Sequence, residues 1–234
     1  MSSVVSEWGP EGARKFDGNV GAIVIVDVLS FSTCVDIVVA RGAIVYPFGF
    51  HDRTAAIEAA RALDAELAGP RGSKAYRFNR SPVSLLSIAA GTKLVLPSPN
   101  GSTISAAARS VPVLTGCLRN ARAVAKRAIN IAQGGSIAVI PAGERRPDGS
   151  LRPAIEDLIG AGAIVQELSM RCSPEAEVAR QAFGSAQSNL ASVVRDCVSG
   201  RELADRGYAQ DVEAATALNT STAAPLLKNG AYTC

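Results

Sequence analysis

The chain has 234 residues, 47% of them hydrophobic and 19% charged, with a formal net charge of +3, the profile of an ordinary soluble globular protein able to bury a sizeable core. Basic residues are dense only in "RNARAVAKR" (119–127) and "GERRPDGSLR" (143–152), and aromatics make up 5% of the chain, so the interleaved basic and aromatic stretches of a nucleic-acid binder are missing. The start "MSSVVSEWGPEGARKF" has no apolar signal region and no run approaches the roughly 20 residues of a membrane span, while five widely spaced cysteines and a single histidine argue against zinc and disulfides and for a cytoplasmic protein with reduced, mostly packed thiols.

The first strong element is "AIVIVDVLSFSTC" (22–34), a β-branched apolar run that ends on Asp27 and passes through Ser30, Ser32 and Thr33 into the helical "STCVDIVVARG". "AIVYPF" (43–48) reads as a strand and "DRTAAIEAARALDAEL" (52–67) as a helix, with His51 before it a cap or surface residue rather than a general base. The Gly-, Pro- and Arg-rich "GPRGSKAYRFNRSP" (69–82) predicts a long loop crossing between two parts of a sheet. Strand and helix then alternate through "TKLVLPS" and "GSTISAAARS", "VPVLTG" and "RNARAVAKRAINIA", and "SIAVIPA" and "RPAIEDLIGAGAIVQELSM". After Cys172 the strand signals stop, and helical patterns fill a C-terminal portion over 172–224. This order predicts an α/β fold, a mainly parallel sheet flanked by helices in three α/β/α layers. One unit over 1–234 is expected, with two lobes meeting near 69–92 as the alternative.

Ligands of open parallel sheets collect beyond the carboxyl ends of the strands, where loops and helix N-termini converge. The predicted strands deliver Asp27 with its hydroxyls, "SPNGST" (98–103), "GCLRN" (116–120) and "AGER" (142–145) to one edge. A carboxylate at the end of a buried strand is costly unless a cation, a nest of N–H groups or a metal accompanies it; a capping role is the plainer alternative. In "SPNGST", Pro99 holds Ser98 out of helical space, Gly101 permits a tight turn, and Ser102 or Thr103 opens the next helix as its N-cap, either as an anion site or as a simple strand-to-helix turn. Glu156 and Asp157 lie about 100° apart on one helix, so one of them is expected to point at the sheet edge.

Several chemistries are missing their signatures. The chain has no G-x-x-x-x-G-K-[ST] loop and no G-x-S-x-G elbow, and "GAGAIV" (160–165) lacks dinucleotide spacing and reads as close packing. No cysteine carries the Arg of a cysteine phosphatase loop, and Asp27 has no second Asp two residues on. What remains is carboxylate, hydroxyl and amide, a hard-ligand set suited to Mg²⁺ and a phosphate.

These stretches resemble the 2-phosphosulfolactate phosphatase family, Mg²⁺-dependent enzymes of the coenzyme M pathway. The resemblance runs over nearly the whole chain: "VDVLSFSTC", "RSP" (80–82), "PNGST" (99–103), "CLRNA" (117–121), "AGERRPDGSLRPAIEDLIGAG" (142–162), and a tail matched through Gly200, Arg201, Leu203, Gly207 and Asp211. It implies catalytic roles for Asp27, Ser32, Asn100 and Glu156, substrate contacts from Thr33, Gly101, Ser102 and Asn120, and a Mg²⁺ site on Asp27, Glu156 and Asp157. Two positions depart: Ser30 stands where the family carries Arg, and Pro70 in "GPR" where it carries Glu. Arg80 also replaces the Asn of the family's Asn-Ser-Pro. A lost Arg removes a bidentate anion clamp, and Arg71, Arg80 and Arg119 are the candidates to replace it.

The resemblance thus implies Mg²⁺-dependent hydrolysis of a phosphate monoester of a small acidic metabolite, 2-phosphosulfolactate to sulfolactate plus phosphate. The alternatives are another small phospho-acid, or a non-catalytic anion-binding module on the same fold. Attack by metal-activated water is expected over a phosphorylated Asp27, and a homodimer is expected from the resemblance and from base rates.

Overall fold

Every residue of the strand Ala22–Val26 is buried, as a parallel strand covered by helices on both faces requires. Its side chains part alternately: Val24 and Val26 join a core with Leu114, Val139, Ile159 and Ile164, while Ile23 and Ile25 join another with Ala13, Ile104 and Ile140. The protein is described by a computed structural model over residues 2–49 and 52–234, and His51 lies outside the described residues.

In chain order the elements are β1 (Val4–Ser6), α1 (Gly9–Phe16), β2 (Ala22–Val26), α2 (Phe31–Ala40), β3 (Ile44–Gly49), α3 (Arg53–Ala62), β4 (Glu66–Leu67), β5 (Lys93–Ser98) and α4 (Gly101–Ala107). There follow β6 (Val113–Gly116), α5 (Ala121–Ala132), β7 (Ile137–Pro141), a small hairpin of β8 (Glu144–Arg145) and β9 (Leu151–Arg152), and α6 (Ile155–Leu168). The C-terminal part holds α7 (Pro174–Ala186), α8 (Leu190–Asp196), α9 (Val198–Asp205) and α10 (Ala209–Thr216), then β10 (Leu226–Lys228) and β11 (Ala231–Thr233).

The large sheet is ordered β1-β7-β2-β6-β10-β11-β3-β5-β4. One parallel block comprises β1, β7, β2 and β6, with Val24 opposite Val139 on one side and Leu114 on the other. A second comprises β3, β5 and β4. Between them stands the hairpin β10–β11, antiparallel to β6 and to β3. The sheet is mostly parallel and flanked by helices, as expected, but following the pairings across the hairpin shows the second block running opposite to the first. The turn after β5 nevertheless reaches the ends of β2 and β7, with the Gly101 N–H 3.0 Å from Asp27 and Asn100 bonded to Glu144, so "SPNGST" does meet Asp27 and "AGER" although its strand lies in the reversed block.

The hairpin also corrects the expectation that strands stop at Cys172. Asn229 (φ 52°) and Gly230 (φ 79°) both adopt positive φ, the requirement of the tight turn that an Asn-Gly pair favours. The helices α7 to α10 fall within the predicted helical portion. On α6, a Cβ at Gly162 would run into the Ala179 carbonyl of α7, and one at Gly160 would meet Val26 and Val28, so "GAGAIV" is a packing motif. The 69–82 segment is a loop, pinned by a bridge between Gly69 and Asn79 and running into a 3-10 turn, Pro82–Leu85, but it leads from β4 to its paired neighbour β5 and does not cross between two parts of the sheet.

Candidate active site

Asp27 follows β2 directly, is 5% exposed, and lies against two amides. Its Oδ1 accepts the Phe31 N–H at 3.1 Å, from the first turn of α2, and its Oδ2 accepts the Gly101 N–H at 3.0 Å, from the first residue of α4. These bonds favour the ionised form, yet burial outweighs them, and with the charges of Glu144 and Glu156 pushes Asp27 up to about 7.

The hydroxyls after Asp27 turn inward. Ser32 Oγ accepts the Asp27 N–H at 2.9 Å and shares a 2.7 Å hydrogen bond with Thr115 on β6, while Thr33 Oγ1 donates to the Val28 carbonyl at 2.7 Å. Both residues are fully buried, so they hold the loop that presents Asp27 and are not open to a phosphate. Ser102 behaves alike, donating to the Leu96 carbonyl at 3.1 Å, and Thr103 donates to the Pro99 carbonyl at 2.7 Å. Neither caps α4, which starts at Gly101 after Asn100. Asn120 is fully buried, and its Oδ1 accepts the Cys117 N–H at 2.8 Å, closing the turn after β6.

Asn100 does reach the acid cluster. Its Nδ2 donates to Glu144 Oε2 at 3.3 Å and its Oδ1 accepts the Arg145 N–H at 3.2 Å, linking the turn after β5 to the β8–β9 hairpin. Glu144 is half-buried, and burial raises its carboxyl above the ordinary value, with Glu156 adding to the rise. It sits just past β7, within "AGER", but is absent from the residues singled out by sequence. The rule that selected Asp27, a carboxylate at the end of a buried strand, also selects Glu144.

The adjacent acids of α6 are both buried, Glu156 at 3% and Asp157 at 4% exposure. They diverge as their 100° separation requires. Asp157 accepts the Val28 N–H at 2.7 Å and the Gly143 N–H at 2.9 Å, so it ties the ends of β2 and β7 together. Burial, with the charges of Glu156 and Asp27, raises it well above the ordinary range. Glu156 Oε2 instead accepts the Cys197 thiol at 3.3 Å.

The three candidate arginines separate. Arg71 donates through Nη2 to Ser30 Oγ at 2.7 Å, pairs through Nη1 with the buried Asp211, and lies 5.5 Å from the Tyr208 ring. It occupies the space beside Ser30 that a longer side chain there would take. Arg80 is the second half-buried guanidinium of this corner; burial and the neighbouring Arg71 both lower its pKa, and its own carbonyl accepts the Ser30 hydroxyl at 3.2 Å. A cavity of about 130 Å³ opens beside it, with Gly49, Ala68, Gly69, Tyr76 and Pro97 among its walls. Arg119 points elsewhere, bound to Asp36 at 2.8 Å and to the Ala214 carbonyl at 3.1 Å.

The donor chemistry fits a hard cation: Asp27, Glu144 and Asp157 each lie within reach of the charge of Glu156, and all four side chains offer oxygen. Among the described residues, however, no three His, Cys, Asp or Glu side chains form a ready-made metal-ligand group. The expected trio of Asp27, Glu156 and Asp157 is thus not a preformed cluster, because the two aspartates are drawn onto backbone amides. Mg²⁺ needs only one or two protein carboxylates, which the cluster supplies. Among the described residues no helix is long and apolar enough to cross a membrane.

No curated protein matches the chain. A family model described as 2-phosphosulpholactate phosphatase matches residues 10–230, a span that takes in every residue of the site above.

Proposed function

Since the chain belongs to the 2-phosphosulpholactate phosphatase family and is thereby a phosphoric monoester hydrolase, we propose that it releases phosphate, with Mg²⁺, from a small acid of the 2-phosphosulfolactate kind. The observation that carries this reading is that the buried acids and the arginine corner meet on neighbouring residues of one turn. Asp27, among the buried carboxylates, accepts the Phe31 N–H, and Ser30, the residue before Phe31, holds Arg71 at 2.7 Å and donates to the Arg80 carbonyl at 3.2 Å.

Glu156, with the remaining lone pairs of Asp27 and Asp157, would hold the cation. When bound, Mg²⁺ supplies positive charge against the phosphoryl oxygens. The chain's own residues do the rest. The Phe31 and Gly101 amides fix Asp27 at both oxygens, which orients it for binding and opposes its use as a nucleophile. Glu144, the half-exposed acid of the four, is placed to carry the proton that the leaving oxygen takes up. Arg71 and Arg80 bind the second acidic group, and the cavity beside Arg80 gives room for a small carbon skeleton.

Phosphate release from a panel of small phospho-acids, 2-phosphosulfolactate included, measured with Mg²⁺ and then with EDTA, tests the reading. Release that requires Mg²⁺ and that Asp27→Asn abolishes without unfolding supports it. Silence across the panel from folded, Mg²⁺-supplied protein would refute it in favour of an anion-binding module.

A further inference from the structure

Glu156 lies on the first turn of α6, yet what sets its carboxylate comes from the helical C-terminal part. Cys197, 8% exposed, immediately precedes α9. Its sulfur accepts the Gly200 N–H at 3.4 Å, as an N-cap, and its thiol proton goes to Glu156 Oε2 at 3.3 Å. The approach is tight: a Cβ at Gly200 would run into the carbonyls of Val194 and Arg195, so the turn that carries Cys197 has little freedom to back away. Two residues on, Ser199 Oγ accepts the Arg152 Nη2–H at 2.9 Å, and Arg152 lies in the field of Glu144. The first turn of α9 therefore touches the acid cluster directly at Glu156 and holds a neighbouring arginine through Ser199.

We propose that Cys197 is a positioning residue, whose thiol fixes the carboxylate of Glu156 in the orientation that the reaction uses. The inference rests on the reading of Glu156 as a site acid. A thiol does this without adding charge: it donates one proton, and the Gly200 amide occupies the sulfur's accepting side, which leaves the S–H to point at the carboxylate. A hydrogen bond to a charged group of this kind is worth a rate factor of about tenfold to a hundredfold when it is removed.

The test compares Cys197→Ala, Cys197→Ser, Glu156→Gln and the Cys197→Ala/Glu156→Gln double variant, by kcat and KM for phosphate release, by melting temperature, and by the infrared S–H stretch. The expected result is a kcat lowered about tenfold or more in Cys197→Ala, with KM within about twofold and a near-native melting temperature. Cys197→Ser, which keeps a donor, should recover most of the rate. The double variant should be no slower than Glu156→Gln alone, and the S–H band should move in Glu156→Gln. A wild-type kcat in Cys197→Ala beside a disabled Glu156→Gln, or equal losses from Cys197→Ala with and without Glu156, would overturn the proposal. A wild-type rate in Glu156→Gln would remove Glu156 from the site, and the positioning role with it.

Discussion

Replacing Gly101 with alanine probes how rigidly the two amides hold Asp27. A Cβ at position 101 would sit 2.9 Å from Phe31 Cβ and inside contact distance of its ring atoms Cγ and Cδ1. The ring has little room to yield, because it is buried and stands edge-on to Tyr232 with 6.1 Å between centroids. The first turn of α4 must then move outward, carrying the Gly101 N–H away from Asp27 Oδ2. Overpacking of this kind costs about 1–3 kcal/mol, and at about 2–4 °C per kcal/mol for a chain of this size the melting temperature should fall by about 2–12 °C. Losing a hydrogen bond to a carboxylate should cost about ten- to a hundredfold in phosphate release. Scanning calorimetry and the phosphate-release assay read the two effects separately. Phe31→Ala in the same chain removes the colliding ring, so the paired change should cost less in rate than the sum of the single ones. Wild-type melting and rate in Gly101→Ala would show that α4 shifts freely and that its amide does not hold Asp27.

In EDTA, the folded protein should melt higher at pH 6 than at pH 8. Asp27 rises from an ordinary 3.8 to about 7 on folding, so the folded state binds the proton more tightly; that stabilisation is complete below about pH 4 and is lost as pH rises through about 7. Melting temperatures that rise with pH across this window would contradict it, and Mg²⁺ should flatten the dependence. Asp211→Asn removes the buried partner of Arg71 and should destabilise by about 3 kcal/mol while raising KM for acidic substrates more than it lowers kcat; unchanged melting and KM would refute the clamp. Alkylation at pH 8 should spare Cys34 and Cys117, buried thiols pushed up to about 12, and reach the exposed Cys234 first, as peptide mass mapping would show. Early labelling of Cys34 would mean that the corner around Ser30 opens.

The acid centre was legible where the chain itself pays a visible penalty: an apolar strand ending in Asp27 demands partners, and the partners are two amides. The identity of those partners was not legible, because Phe31 and Gly101 offer only backbone. Ser32 and Thr33 were misread for a related reason: sequence shows a hydroxyl but not its direction, and a tight turn spends both on the loop itself. Glu144 followed the same logic as Asp27 and was passed over. Contacts such as Arg71 with Ser30, or Cys197 with Glu156, join residues 41 apart in each case, and no local pattern encodes them. Asn229–Gly230 was a readable hairpin signal, hidden by the helical run before it.

That hairpin gives the molecule an order of assembly. Among the described strands β10 and β11 come last along the chain, yet they stand in the middle of the sheet. During synthesis β6 and β3 are both complete long before anything can lie between them, so each half-sheet presents a bare edge of the kind that recruits neighbouring chains. A nascent chain stalled before residue 226 would leave the two blocks joined only through their helices and loops, as at Asp27 and Gly101, with both rims still bare.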